Sequence, residues 1–329
     1  MPKRLEELVN RSTLEPQTEL SFVIPVFNGS RSVAGVVEKI YELYSDLCIE
    51  IVLVNDGSGD DSEKICRALH EKHPGNLTFV HLARNFGEHN AVLAGLHHAT
   101  GNYVAVLDDD GQNPPEEIRR MYDAIRDEGF DVVYGRYRVK RHGFLRNVGS
   151  RFNDRMANVM LQKPADLYLS SFKVMNRFTV EEVKRYRGAF PYIDGLILRT
   201  TRNLGQVDVE HQERDDSSSN YTPRRLFLLW LNMFLNFSIL PLRLSAAVGA
   251  LASLSSLFLL AAIVIDKLYV NPEVAVGIPT VLLTVVFFSG VQLFILGAVG
   301  EYLGRLFLDH SGTPQFVVRY AQERDLGRE

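Results

Sequence analysis

The chain has 329 residues, a formal net charge of −4 and two cysteines. This length allows one large domain with a smaller unit attached. The small net charge predicts no overall basic field, so we expect no nucleic-acid partner. Cys48 and Cys66 lack metal-ligand spacing, and the polar residues 1–19 show no signal-peptide pattern. We therefore expect two packed thiols and a polar N-terminal tail in the cytosol.

Short β-branched segments alternate with amphipathic segments in the first half of the chain. The apolar segments, in order, are SFVIPV, EIVLVN, TFVHLA, YVAVLD and DVVYG. This alternation predicts βαβ units and an α/β fold with a mostly parallel, doubly wound sheet. We expect this sheet to form a cytosolic domain over residues 20–222.

Polar residues and glycines follow four of the predicted strands, at 25–28, 55–58, 84–87 and 108–112. Each group alone fits ordinary turn chemistry. Ligands in such sheets bind outside the carboxyl ends of the strands, so four groups at one edge favour a binding site. Neither a P-loop lysine nor dinucleotide-binding glycine spacing is present, which disfavours a kinase or a dehydrogenase.

Three adjacent aspartates, Asp108, Asp109 and Asp110, form the most informative of these groups. Desolvated carboxylates repel one another, and a cation relieves that repulsion. In an extended segment Asp108 and Asp110 point the same way while Asp109 points oppositely. With phosphates completing the shell, two such oxygen ligands suit Mg²⁺ or Mn²⁺, so we predict Asp108 and Asp110 as metal ligands. A solvated acidic turn before a helix at Pro114–Pro115 is the alternative.

Residues 136–160 form a basic segment whose apolar residues follow helical spacing. Such a segment favours an anionic membrane surface, although an ordinary packed helix with a cationic face has the same pattern. Its cations are candidate contacts for an acceptor phosphate. The four that we predict are Arg136, Lys140, Arg146 and Arg151.

Two long uncharged segments lie in the second half of the chain. Both exceed the ~20 residues that cross hydrocarbon as a helix, which predicts transmembrane helices over about 244–266 and 276–300. We place them in a unit over 243–308, after a juxtamembrane amphipathic helix over 223–242 and before a cytosolic tail over 309–329. Arginines flank the two predicted spans, whereas Lys267 is the one cationic residue in the connector between them. Because cytoplasmic flanks of membrane spans are rich in Lys and Arg, both termini should face the cytoplasm.

Six stretches along nearly the whole chain carry a family pattern. They are SFVIPVFN, IVLVNDGSGDDS, LARNFGEHNAVLAG, VAVLDDDGQNPPEE, HQERDDSSSNY and GAVGEYLGR. Together they resemble the polyprenyl-phosphate glycosyltransferases of glycosyltransferase family 2. The resemblance implies a GT-A nucleotide-sugar domain, an Asp-x-Asp metal site and a multi-pass protein of the inner or plasma membrane. It also implies a UDP- or GDP-linked sugar as donor and a polyisoprenyl phosphate as acceptor.

The resemblance and the strand ends together assign the donor side. The residues that we predict to bind the nucleotide sugar are Pro25, Val26, Asn28, Asp56, Arg84, Asp108 and Gln112. On the acceptor side, Arg214 resembles the arginine of the family's acceptor loop. Ser219 lies in the same loop, where Asn220 replaces the usual lysine.

A second departure concerns a carboxylate that often precedes a Phe-Arg-Leu-Met run in the family. Ser171 holds that position here, before Phe172-Lys173-Val174-Met175, and Asp166 is the candidate replacement. We predict catalytic roles for Asp110, Arg214 and Asp166.

The chemistry can be argued from the acceptor. A lipid phosphate is largely a dianion at neutral pH, so no strong general base is needed. The protein must instead neutralise two phosphate groups and stabilise the departing nucleoside diphosphate. A single displacement would invert the anomeric carbon. The alternatives are a catalytically silent, membrane-tethered nucleotide-binding scaffold and a processive polysaccharide synthase. Glycines near 290–304 favour a homo-oligomer.

Overall fold

The computed structural model describes residues 18–137, 167–188, 191–210, 278–310 and 314–325, with residue 312 and scattered positions between 247 and 269. The chain divides into two compact units. One contains residues 1–220 together with 314–329, and the other contains residues 221–313.

An eight-stranded sheet forms the centre of the first unit. Its strands are β1 (Leu20–Val26), β2 (Ile49–Asn55), β3 (Leu77–Leu82), β4 (Tyr103–Val106), β5 (Val132–Tyr137), β6 (Lys173–Asn176), β7 (Leu204–Val209) and β8 (Val318–Gln322). Their order is β7-β5-β6-β4-β1-β2-β3-β8. The five predicted strands are β1 to β5. The sheet is mixed rather than mostly parallel, because β6 runs antiparallel to β4 and β5, and β8 runs antiparallel to β3.

Helices flank the sheet and supply much of its core. Those described in this unit are α1 (Val33–Leu43), α2 (Ser62–Lys72), α3 (Glu88–His98), α4 (Pro115–Glu128), α5 (Arg177–Lys184) and α6 (Ile193–Thr200). Every residue of β1 and β2 is buried, which accounts for their mostly apolar sequences. Helix α4 begins at Pro115, where a missing N–H costs no helical hydrogen bond, and ends before Gly129 in the left-handed conformation.

Within the segment predicted as a cytosolic tail over 309–329, residues Val318–Gln322 form the edge strand β8, which pairs with β3. Arg324, just after β8, lies 3.2 Å from Glu50 through its Nε and donates to Thr18 Oγ1 at 2.9 Å. Glu50 is 1% exposed and also accepts hydrogen bonds from Ser21 Oγ and Gly101 N. The sequence did not predict this strand, because a five-residue edge strand with alternating exposure leaves little apolar signal.

A single long helix, α7 (Ile278–His310), dominates the described part of the second unit. Its residues 287–304 make it the one helix in the described ranges that is long and apolar enough to cross a membrane. Large apolar side chains project outward from it, including Phe287, Leu293 and Phe307. It matches the predicted second span and extends beyond it. The predicted helix at 223–242 lies outside the described residues, as does most of the first span at 244–266.

Candidate active site

The loops that follow β1 and β2 hold each other in place. Asn28 N donates to Ser58 Oγ at 3.0 Å, and Gly59 N donates to Asn28 Oδ1 at 2.9 Å. Asn28 has a φ of 56°, a left-handed conformation that asparagine tolerates better than most residues. The predicted donor residue Asn28 therefore fixes the relative position of two strand-end loops.

Asp56 connects the loop after β2 to the loop after β3. Its carboxylate is buried and accepts hydrogen bonds from Phe86 N at 2.7 Å and Gly87 N at 2.8 Å. Burial raises the pKa of this carboxyl group, although the two amides oppose the shift. A Cβ added at Gly57 would lie 2.4 Å from the carbonyl carbon of Arg84, so the close approach of the loops requires glycine.

The three adjacent aspartates have three different environments. Strand β4 ends at Val106, and Asp109 and Asp110 lie in a turn rather than in the extended segment that we assumed. Asp109 Oδ2 accepts from Phe27 N at 3.1 Å, which ties it to the loop after β1. Asp110 Oδ1 accepts from Gln112 N at 3.0 Å. Asp109 is thus held apart from Asp108 and Asp110 by the turn, not by strand alternation.

Asp108 is held by its neighbours through one of its two oxygens. Its Oδ2 accepts from Asn113 Nδ2 at 2.6 Å and from Ser171 Oγ at 3.1 Å. Burial, followed by the charge of Asp110, raises the pKa of Asp108, so a cation at this position would be stabilising. The described ranges contain no group of three or more His, Cys, Asp or Glu arranged to hold a metal ion. Two carboxylates fit a divalent metal whose remaining ligands come from a phosphate or from water.

Helix α3 begins with two ionisable side chains, Glu88 and His89, whose pKa values are both shifted. Glu88 is the first residue of α3, and the His89 ring meets the Tyr192 ring edge-on at 5.0 Å. Burial raises the pKa of Glu88 to about 7, and Asp108 is the next contribution. Burial lowers the pKa of His89 to about 4, which keeps its ring neutral at pH 7.

Sequence reasoning missed a buried ion pair in this region. Lys173 Nζ binds Asp194 Oδ1, and both side chains are nearly inaccessible to solvent. The same Asp194 oxygen accepts from Tyr134 OH at 3.1 Å. A lysine inside the apolar run of β6 was the signal that could have found it, because such a lysine needs a buried partner.

Several predicted residues lie outside the described ranges. These are Lys140, Arg146, Arg151, Asp166, Arg214 and Ser219. Among the described ones, Arg136 Nε donates to Asp208 Oδ1 at 2.6 Å, and Arg84 stacks its guanidinium over the Phe86 ring at 4.2 Å. Pro25 and Val26 are residues of β1, and Val26 O accepts from Asp56 N at 2.9 Å.

Known proteins resemble this chain over most of its length. Residues 21–184 match the family model described as glycosyl transferase family 2. The chain is 32% identical over 312 residues to the undecaprenyl-phosphate 4-deoxy-4-formamido-L-arabinose transferase of Serratia proteamaculans (strain 568), which covers 94% of this chain and 95% of that protein. The chain belongs to glycosyl transferase family 2, among its polyprenyl-phosphate glycosyltransferases. The family resemblance seen in the six sequence stretches is thereby confirmed.

A second relative and one solved structure are also similar to this chain. The protein of the same name from Pseudomonas savastanoi pv. phaseolicola (strain 1448A / Race 6) is 32% identical over 306 residues, covering 91% of this chain and 89% of that protein. Among solved structures, glucosyl-3-phosphoglycerate synthase from Mycobacterium tuberculosis has a TM-score of 0.49 and 18% identity, covering 66% of this chain and 78% of that one. Family membership identifies the chain as a glycosyltransferase with a GT-A fold, and it favours an enzyme over a silent scaffold.

Proposed function

We propose that this protein transfers a sugar from a nucleotide-sugar donor to a polyisoprenyl phosphate of the undecaprenyl type, with inversion at the anomeric carbon. The observation that carries the proposal is the placement of Asp108 and Asp110 at the same carboxyl edge of the sheet as Asp56, because β1 pairs in parallel with both β2 and β4 and Asp109 joins the aspartate turn to the loop after β1. The names of relatives that match nearly the full length support the acceptor class.

The donor site is pre-organised by the chain itself. Contacts of Asn28, Asp56 and Asp109 with backbone amides join the loops after β1, β2 and β3 to the aspartate turn. Fixed loops lower the cost of ordering a bound nucleotide and place charge where the leaving group develops it. We assign donor contacts to Pro25, Val26, Asn28, Asp56, Arg84, Asp108 and Gln112 as proposals of the same kind.

Mg²⁺ or Mn²⁺ is the proposed cofactor, with Asp108 and Asp110 as the residues that would hold it. A bound metal supplies positive charge to the departing nucleoside diphosphate. Asp108 suits this role because its two hydrogen bonds from described residues both reach Oδ2 and none reaches Oδ1.

The acceptor side is proposed from the sequence. Arg214 and Ser219, with the basic segment, would bind the lipid phosphate by charge-assisted hydrogen bonds. The cations of that segment are Arg136, Lys140, Arg146 and Arg151. Asp166 remains the candidate for the carboxylate that Ser171 replaces, although Ser171 itself contacts Asp108.

Strand β8 bears on the proposed membrane topology. Residues 18–210 and 314–325 build one sheet, so both lie on the same side of any membrane that the chain crosses. The number of crossings between them must then be even. If α7 crosses once, a second crossing lies within residues 221–277, which supports two spans with both termini cytoplasmic. A reporter fused after Glu329 should face the cytoplasm and one inserted near Asn271 should face outward; a cytoplasmic signal at Asn271 would contradict this.

The glycines of α7 support the predicted homo-oligomer. They are Gly290, Gly297, Gly300 and Gly304, and a Cβ built at any of them meets no described atom within 4 Å. Small residues allow membrane helices to approach closely. Cross-linking of the detergent-solubilised protein should then give a dimer or a larger assembly, and only monomer would argue against it.

The reaction can be tested directly on the purified protein. We would incubate it with undecaprenyl phosphate, Mn²⁺ and a panel of UDP- and GDP-linked sugars, and analyse the lipid by mass spectrometry. The proposal expects a mass increase of one sugar with at least one donor, and no product with Asp110→Asn. A ladder of several sugars would favour the processive synthase, and no product with any donor would contradict the proposal.

A further inference from the structure

Asn113 is a buried polar residue to which the proposed reaction assigns no part. It is 1% exposed and lies between the aspartate turn and helix α4. An asparagine at this place in a sequence usually caps the helix that follows. Here Pro114 holds the N-cap position of α4, without a side-chain hydrogen bond, so Asn113 does not cap the helix. Its amide is bonded instead to two side chains of the candidate site.

The Asn113 amide connects Asp108 to the end of strand β5. Its Nδ2 donates to Asp108 Oδ2 at 2.6 Å, and its Oδ1 accepts from the hydroxyl of Tyr137. An ionised carboxylate only accepts hydrogen bonds, so the amide presents its nitrogen to Asp108 and its oxygen to Tyr137. Burial raises the pKa of Tyr137 to about 12, which keeps its hydroxyl protonated at neutral pH. The Tyr137 hydroxyl therefore determines which way the amide faces.

A second donor reaches the same oxygen of Asp108 from another part of the sheet. Ser171 lies two residues before β6, and its Oγ donates to Asp108 Oδ2 at 3.1 Å. Asn113 and Ser171 thus hold one oxygen between them, which fixes the rotation of the carboxyl group. No hydrogen bond from the described residues reaches the other oxygen, Oδ1. The fixed rotation therefore sets the direction in which the unbonded oxygen points.

We propose that Asn113 and Ser171 are positioning residues for the divalent metal, and that Tyr137 acts on the metal through Asn113. This inference rests on the proposed function, because it takes Asp108 as a metal ligand. A carboxylate that is free to rotate must be ordered when the metal binds, whereas these donors order it beforehand. The alternative is that the same bonds only satisfy a partly buried carboxylate. Their loss would then lower stability without changing the affinity for the metal.

The test measures metal binding without the transfer reaction. Mn²⁺ would be titrated into the full chain in detergent, alone and with UDP or GDP, and free Mn²⁺ followed by electron paramagnetic resonance. We expect Asn113→Ala to weaken Mn²⁺ binding about 10- to 100-fold, as is typical when a hydrogen-bond partner of a metal ligand is removed. Ser171→Ala should weaken it less, because its bond is longer. Ser171→Thr keeps the hydroxyl and should bind nearly as the wild-type chain does.

A double-mutant cycle tests the part assigned to Tyr137. Tyr137→Phe removes the donor to the amide and should weaken Mn²⁺ binding about 3- to 10-fold, as expected for one neutral hydrogen bond. In the Asn113→Ala background the same change should have no further effect, because the side chain through which it acts is gone. A further loss of affinity in that background would overturn the assignment of Tyr137.

Asn176→Ala is the matched control at the opposite end of β6. Asn176 Nδ2 donates to Asp131 Oδ1 at 2.8 Å, so the control removes the same kind of amide-to-carboxylate bond. It should lower the melting temperature and leave Mn²⁺ affinity unchanged. If Asn176→Ala weakened Mn²⁺ binding as much as Asn113→Ala, lost stability would explain both results and the inference would be overturned.

The wild-type chain and Asp108→Asn separate this inference from the proposed function. If Asp108→Asn loses Mn²⁺ binding while Asn113→Ala and Ser171→Ala bind as the wild-type chain does, the positioning roles are wrong and the metal site stands. If Asp108→Asn binds Mn²⁺ as tightly as the wild-type chain, the proposed metal site is wrong and this inference falls with it. Should Asn113→Ala fail to fold, Ser171→Ala still decides, since it removes only one oxygen atom.

Discussion

The two edges of the same sheet hold acidic side chains in opposite ways. At the amino edge, Glu50 accepts from Ser21, Thr100 and Gly101 and pairs with Arg324. At the carboxyl edge, Glu88 has no polar partner among the described residues, and Asp108 is bonded through one oxygen only. A carboxylate whose bonds are all made within the protein stabilises the fold. One that is crowded by like charge and left partly unbonded is available to a ligand.

The largest effect that this contrast predicts is loss of sugar transfer at the carboxyl edge. Asp110→Asn should reduce transfer on the order of 1000-fold or more, because a metal supplies several kcal/mol of charge stabilisation. Asp108→Asn should be similarly severe. Asp109→Asn should be much milder, since its amide oxygen can still accept from Phe27 N. Transfer rates of the three variants would measure these effects, and circular dichroism would check that each variant is folded. Equal losses at all three positions would contradict the difference expected between Asp109 and the other two aspartates.

At the amino edge the predicted effect is on stability. Arg324→Ala should lower the free energy of unfolding by about 3–5 kcal/mol, because Glu50 would stay buried without its cation. Arg319→Ala is the matched control on the adjoining strand β8. Arg319 is exposed, and the one hydrogen bond between its guanidinium and the described residues goes to Ala83 O at 3.4 Å, so the cost should stay within about 0.5 kcal/mol. Denaturant unfolding of the full chain in detergent measures both, and equal costs would show that Arg324 does not act as a buried partner.

Arg214, which we propose as a contact of the acceptor phosphate, should have an intermediate effect that is confined to catalysis. Arg214→Ala should weaken transfer to the lipid acceptor by about 30- to 150-fold, as expected for about 2–3 kcal/mol from one charge-assisted phosphate contact. Arg214→Lys should recover part of this, since the charge remains but the forked donor geometry is lost. Nucleotide affinity measured with Mg²⁺ and without lipid should change little. If calorimetry showed it falling in step with activity, Arg214 would belong to the donor side.

The smallest predicted effect is the pH dependence of stability that Glu88 adds. Its folded pKa of about 7 lies above the usual 4.5, through burial and the charges of Asp108, Asp194 and Asp110, with Lys173 opposing. The folded state therefore retains a proton that the unfolded state releases, and stability is lost as pH rises through this interval. Without divalent metal, the melting temperature of Glu88→Gln relative to wild type should rise from pH 5 to pH 8. We expect a shift on the order of 1–2 °C, because the side chain is exposed. A constant difference would contradict the raised pKa.

The strands that could be predicted are those with the strongest burial. Strands β1 to β3 are buried throughout, and their runs of apolar residues stand out in the sequence. Strand β6 has four residues, one of them Lys173, and its role depends on Asp194, a partner brought close only by folding. The edge strand β8 alternates in exposure and lies beyond an apolar segment, so no local pattern joins it to β3.

The residues of the candidate site also differ in how far the sequence could predict them. Asp108 and Asp110 could be proposed as metal ligands from three adjacent carboxylates, because that pattern is costly without a cation. The contact between Ser171 and Asp108 could not, since a serine carries no comparable signal and its partner lies on another strand end. Glu88 was likewise indistinguishable from an ordinary first-turn acid until the packing of α3 was known.

The pairing of β8 with β3 also imposes an order on how the protein is made. A ribosome releases β3 long before β8, and the apolar helix α7 emerges between them. The outer edge of β3 must therefore remain unpaired until α7 and then β8 have been synthesised. Open strand edges recruit other strands, which exposes the nascent chain to aggregation during this interval. A chain truncated before residue 314 lacks β8, so its β3 edge stays unpaired permanently. This exposed edge would distinguish truncated chains from complete ones in cellular quality control.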